Sequence, residues 1–246
     1  MNVVTVDHRK NGVSLIAINR PERKNAICAD TALQLQSAFA EFDRSEQRVA
    51  VITGSGNEAF SSGADVTKLP ELWRCIPTVG IQTDKPIIAA VGGWCVGGAL
   101  VLTMMCDLMV AAENAKFSYP EAKLGFTGGL IAGLAGRIPH KIAMEMIVLC
   151  RTLDAQRAYS VGLVNDVVPT GQQVEAALKM AAEIATFSPM VLTTLKRFVT
   201  QSVLAKGPSE QMATTIAALA AVRESEDGRE GVLAFKEKRA PRFTGR

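Results

Sequence analysis

The sequence predicts an α/β domain that continues into a mostly helical C-terminal region. Three observations lead there. Short apolar, β-branched runs bounded by Gly or Pro recur through the first half. A segment with helical apolar spacing lies between the early runs. From about residue 132 the pattern turns to successive amphipathic helices.

Residues 3–6 alternate weakly and predict a first strand. Val13–Ile18 is apolar between Gly12 and Pro21 and predicts a second. In 30–43, Leu33, Leu35, Ala38, Phe39 and Phe42 recur at roughly helical spacing. Residues 49–53 form a β-branched run that ends at Gly54. The uncharged stretch 86–106 is long enough to span a bilayer. Pro86 and the glycines at 92, 93, 97 and 98 break it, however. It reads as a buried strand (Ile87–Val91), a glycine-rich turn and a buried helix over 99–106. Residues 108–111 predict another strand buried on both faces.

Helices are expected over 141–150, 154–161, 171–187, 189–206 and 209–224, with a short strand within 163–168. Asp154 and Ser188 have N-cap chemistry, and Pro189 suits a first helical position. No repeat of 20–50 residues is present. The organisation read from this is a core over 1–190 and a helical region over 191–246.

Composition narrows the function. There are 27 Lys+Arg against 24 Asp+Glu, too even a balance for a dedicated nucleic-acid or membrane-surface binder. Aromatics are 5%, with tryptophan only at Trp73 and Trp94, which disfavours stacking on single strands. Cys28, Cys75, Cys95, Cys106 and Cys150 form no CxxC pair, and only His8 and His140 accompany them. A disulfide framework or a metal site is therefore not expected. The first ten residues hold no apolar signal core, so a cytoplasmic address is expected.

Gly54-Ser55-Gly56-Asn57-Glu58-Ala59 fits the dinucleotide pattern GxGxxA, but the residues that follow are a poor helix start. No P-loop, HExxH or GxSxG motif is present. Two other glycine-rich turns hold more chemistry. One is Phe60-Ser61-Ser62-Gly63-Ala64-Asp65-Val66; the other is Trp94-Cys95-Val96-Gly97-Gly98-Ala99. Glycine lets a backbone approach a ligand closely, and a helix start offers unpaired N–H donors. Two such turns on one cavity would make an oxyanion hole, although glycine pairs also serve tight packing. The final stretch 235–246 carries Lys236, Lys238, Arg239, Arg242 and Arg246 against Glu237. Charge alone favours a solvated, fraying terminus there over an anion site.

Together these segments resemble the crotonase superfamily, the enoyl-CoA hydratase/isomerase family, over essentially the whole chain. The resemblance rests on Arg20-Pro21-Glu22-Arg23-Lys24-Asn25-Ala26, Phe60-Ser61-Ser62-Gly63-Ala64-Asp65 and the 85–100 run around Gly97-Gly98. It continues through Cys106-Asp107, Phe117-Ser118-Tyr119-Pro120-Glu121, residues 158–165, and Ala234-Phe235 with Lys238-Arg239. It implies a crotonase-like spiral of ββα turns with a C-terminal helical region that makes homotrimers, often paired as hexamers. It implies a coenzyme A thioester as substrate, with no separate cofactor. It assigns the oxyanion-hole N–H groups to Ala64 and Gly98, and proton transfer to Glu121. CoA contacts would come from Lys24, from Ser62, Ala64, Asp65 and Val66, and across a subunit boundary from Phe235 and Lys238. The basic tail would then meet CoA phosphates.

The chain departs from the family at two places beside the reacting centre. Hydratases of the family carry a further glutamate after the Gly–Gly turn, where this chain has Val101. The glycine stretch that follows Glu121 reads Gly125-Phe126-Thr127-Gly128-Gly129. A paired-glutamate hydration is thereby put in doubt, and a single glutamate suits double-bond migration. A CoA-ester binding protein with little turnover is the alternative from another class. Hydration would need a second group to position the water, and Ser118, Tyr119 and Thr127 are the nearby polar candidates by sequence.

Overall fold

The computed structural model describes residues 2–246. β1 (Val4–His8) runs antiparallel to β2 (Val13–Ile18), and α1 (Ala29–Arg44) crosses to β3 (Val49–Gly54), parallel to β2. The chain then alternates between two sheets. β3, β5 (Ile87–Val91) and β7 (Leu108–Ala112) lie side by side and parallel in the first. β4 (Ala59–Ser61), β6 (Trp94–Val96) and β8 (Lys116–Ser118) do the same in the second. α2 (Gly98–Met104) and the one-turn α3 (Glu121–Leu124) follow β6 and β8. Each turn of chain thus adds one strand to each sheet, usually with a helix after it. That is the spiral of ββα turns which the family resemblance implies.

After α3 come α4 (His140–Val148), β9 (Leu153–Asp154), α5 (Ala155–Ser160) and β10 (Asp166–Val168). β10 closes a six-stranded sheet of order β1-β2-β3-β5-β7-β10, and β9 a four-stranded sheet of order β4-β6-β8-β9. α6 (Gln173–Ile184), α7 (Pro189–Phe198), α8 (Pro208–Glu224) and α9 (Glu226–Glu237) complete the chain.

The long strands are apolar on both faces because both faces are covered. Ile16, Ile52, Ala89 and Ala111 face the core shared with α1 and the second sheet, beside Leu35, Phe39 and Phe42. Val13, Val51, Ile88 and Val110 face Ala177, Ala181 and Ala185. The first two of these alanines lie on α6, four residues apart on one face.

Several expectations need correction. The helix expected over 189–206 leaves α-geometry at Phe198 and finishes as a π-turn, Val199–Val203. The strand within 163–168 begins only at Asp166. Asp154 does cap its helix, accepting from the Arg157 N–H at 2.8 Å, whereas Ser188 makes no side-chain cap bond. The terminus is not left fraying. Arg239 pairs with Glu230 at 2.6 Å, and the backbone N–H groups of Thr244 and Gly245 donate to Asp227. Ala59, the last glycine-pattern residue of the dinucleotide look-alike, opens strand β4 rather than a helix. The 86–106 stretch is β5, β6 and α2. Among the described residues no helix is long and apolar enough to cross a membrane.

Candidate active site

Three short parallel neighbours, β4, β6 and β8, build the site. Their C-terminal ends release three loops on one side of the sheet, where open parallel sheets present their ligand crevices. The loop after β4 carries Ser62, Gly63, Ala64, Asp65 and Val66. The loop after β6 is Gly97, leading into Gly98 at the start of α2. The chain after β8 is Tyr119-Pro120-Glu121.

Specific bonds draw these loops together. The Gly97 N–H donates to the Ser118 carbonyl at 2.9 Å, tying the end of β6 to the end of β8. Gly63 sits at φ +93°, and a Cβ there would stand 2.7 Å from the Val96 carbonyl oxygen and 3.5 Å from the Gly98 nitrogen. Only glycine allows that approach. On its other side, the Ile27 N–H donates to the Gly63 carbonyl and the Asp65 N–H to the Ile27 carbonyl, each near 2.9 Å. Those bonds leave the Ala64 N–H between them without an acceptor among the described residues. The Gly98 N–H, first in its helix, has none either, as helix geometry requires.

Glu121 is 8% exposed, so the surface-acid role that its position after Pro120 also allows is not what the fold gives it. Its Oε1 lies 3.5 Å from where a Gly97 Cβ would be, at the turn that leads into α2. Its Oε2 accepts a hydrogen bond from the Tyr119 hydroxyl. Val101, on α2, is 2% exposed and offers no proton. Beside Glu121 opens a cavity of about 810 Å³, walled by apolar Phe126, Ile131, Ala132, Ala135, Met144 and Ile147. A separate cavity of about 560 Å³ lies between Met104, Arg137, Leu192, Lys196 and Glu210 and touches none of these loops.

The expected CoA residues fall into two groups. Lys24 is held against the 62–66 loop, because the Ser62 N–H donates to its carbonyl at 2.9 Å. Asn25 makes that placement rigid: it is 1% exposed, accepts from the Arg20 N–H and donates to the Ser55 and Ala59 carbonyls. The sequence alone assigned Asn25 no role, although an asparagine in a turn opened by Pro21 is a signal for such a clamp. The Lys24 side chain is exposed and, among the described residues, its one ion pair is with Glu58, at 3.7 Å. Asp65 accepts from the Thr67 hydroxyl at 2.6 Å and from its N–H, which holds the Asp65 carboxyl below the usual range. Val66 is exposed at the rim. Phe235 and Lys238 are not brought to this group by any hydrogen bond or ion pair among the described residues. They lie at the end of α9, which packs on α8, and Phe235 is 86% exposed.

The arrangement brings the Gly63–Ala64 turn, the start of α2 and the buried Glu121 carboxylate near one another, with an apolar cavity beside Glu121. That suits a carbonyl whose oxygen gains charge while a proton moves on a neighbouring carbon. Comparison with known proteins agrees with this chemistry. The family model for enoyl-CoA hydratase/isomerase matches residues 8–246. The (E)-benzylidenesuccinyl-CoA hydratase of Thauera aromatica is 33% identical, with 96% of each chain covered. The carnitinyl-CoA dehydratase of Salmonella typhi is 36% identical, covering 96% of this chain and 97% of that protein. Among solved structures, an enoyl-CoA hydratase from Mycobacterium tuberculosis superposes with a TM-score of 0.77 at 33% identity, covering 100% of both chains. A carnitinyl-CoA hydratase from Mycobacterium avium gives 0.78 at 32%, again covering 100% of both. Sequence, fold and the family match over nearly its full length agree: the chain belongs to the enoyl-CoA hydratase/isomerase family of the crotonase superfamily.

Proposed function

We propose that this acyl-CoA enzyme polarises a CoA thioester between the Ala64 and Gly98 N–H groups and moves a proton on the acyl chain with Glu121. The observation that supports the reading is the side-by-side pairing of β4, β6 and β8, whose following loops bring Gly63 close to the Gly98 nitrogen and buried Glu121 close to Gly97. As the proton leaves the carbon next to the thioester, charge builds on the carbonyl oxygen, and the two unpaired N–H groups would receive it. The acyl group lies in the apolar cavity beside Glu121. An activity panel of crotonyl-CoA, a 3-enoyl-CoA and aryl or cyclic acyl-CoAs tests the reading. Turnover of at least one supports it, and inert behaviour with all of them favours a CoA-ester binding protein instead.

Val101 supports a finer assignment within the group. Hydration needs a second group to place the water, whereas one carboxylate can remove a proton and return it two carbons away. A single-glutamate enoyl-CoA isomerase is therefore the second reading, and faster conversion of the 3-enoyl-CoA than of crotonyl-CoA separates it from a hydratase.

The CoA moiety meets Lys24 and the 62–66 loop, and Phe235 and Lys238 complete the site across a subunit boundary. CoA affinity is expected to fall as salt rises, because lysine–phosphate contacts at an exposed site are screened. Calorimetry in a salt series checks this. Salt-independent affinity, or parent affinity in Lys24→Ala combined with Lys238→Ala, contradicts the placement.

That completion needs neighbouring copies. Met190, Phe198 and Val203 on α7 and its π-turn, and Leu219, Val222 and Phe235 on α8 and α9, are all more than half exposed. Such apolar surface marks an interface. The particle is expected to hold a multiple of three chains. Light scattering at micromolar concentration checks it, and a monomer contradicts it.

A further inference from the structure

Glu121 is the terminus of a chain of hydroxyl groups. The Tyr119 hydroxyl donates to Glu121 Oε2. The same phenol oxygen lies 2.8 Å from Thr127 Oγ1, and the Gly129 N–H donates to that Oγ1 at 3.0 Å. A phenol has one proton, and here it points at the carboxylate. The Thr127 hydroxyl must therefore donate to Tyr119. The direction is fixed throughout: Gly129 N–H to Thr127, Thr127 to Tyr119, Tyr119 to Glu121. Bonds aligned in this way polarise and reinforce one another. Tyr119 is 3% exposed. Burial first, and then the neighbouring carboxylate, push its phenol above the ordinary value, so it keeps its proton through neutral pH.

The consequence for Glu121 is an asymmetry. Oε2 is occupied, and Oε1 faces Gly97, the residue that leads into Gly98. With Val101 supplying no second acid, the same oxygen must take the substrate proton and give it back. We propose that Tyr119, backed by Thr127, is a positioning residue that occupies Glu121 Oε2 and so holds Oε1 toward the substrate. This rests on the proton-transfer role given to Glu121 above. Tyr119 touches no reacting atom; the proton passes between the acyl carbon and Oε1, and the phenol keeps its own.

The test compares the parent, Tyr119→Phe, Glu121→Gln and the double variant on whichever acyl-CoA the panel shows to be turned over fastest. Tyr119→Phe keeps the ring and removes the hydroxyl. It is expected to lower kcat by roughly 10-fold, the size of a lost hydrogen bond to a charged group. KM and CoA affinity should stay at parent values. The double variant should be no slower than Glu121→Gln alone, because Tyr119 acts only through Glu121. Thr127→Val should give a smaller loss that Thr127→Ser restores, and this arm decides the matter if Tyr119→Phe does not fold. Parent kcat in Tyr119→Phe, a raised KM at parent kcat, or losses that multiply in the double variant would each overturn the inference. Parent kcat in Glu121→Gln would instead overturn the functional reading beneath it, so the two failures are distinct.

Discussion

Glu121→Gln is expected to lower acyl-CoA turnover by roughly 10²–10⁴-fold, the usual worth of a positioned acid–base group. Glutamine keeps the shape and can still accept from the Tyr119 hydroxyl through its amide oxygen, so the local fold should persist. What it lacks is an oxygen that can take a proton. Free CoA should bind as to the parent, because Lys24 and the 62–66 loop lie on other elements. Steady-state kinetics with calorimetric CoA titration checks both halves. Parent turnover would place the chemistry on another residue.

Gly63→Ala is expected to cost nearly as much, about 10²–10³-fold in kcat, the range seen when an oxyanion-hole donor is lost. The reason is steric. At φ +93° an alanine is strained, and its Cβ would press on the Val96 carbonyl oxygen at 2.7 Å, a backbone atom that cannot rotate away. The strain is worth about 1–3 kcal/mol. It is relieved only by moving the Ala64 N–H or the end of β6, and both belong to the proposed oxyanion hole. Gly128→Ala is the control, since a Cβ there meets nothing within 4 Å. Kinetics with thermal melts checks the pair. Equal turnover in parent and Gly63→Ala would show that this close approach does not hold the site.

The long strands were legible because burial on both faces leaves an unbroken apolar run. β2 and β5 have the bounds that their sequences suggest. The strands that build the site were not legible. β4, β6 and β8 are each three residues long, too short for any period to show, and their pairing depends on partners far away in the chain. α9 escaped notice because Gly228 and Gly231 interrupt it. Gly228 is needed there, since a Cβ would meet the Val222 carbonyl oxygen at 2.6 Å. Glu121, Ala64 and Gly98 could be named from motif resemblance alone. Tyr119 and Thr127 could be named only as polar neighbours. Their bond closes a loop through Gly125, whose left-handed turn ends α3 and returns the chain toward Tyr119.

Solvent exchange tests the central assignment most directly, because it asks only whether a base acts beside a polarised thioester. Butyryl-CoA incubated with the chain in deuterium oxide, followed by mass spectrometry, reports deuterium at the α-carbon whatever the natural acyl group. The parent is expected to exchange well above the buffer rate, and Glu121→Gln about 10²-fold more slowly or less. No exchange by the parent, or equal exchange by both, would contradict the assignment of proton transfer to Glu121.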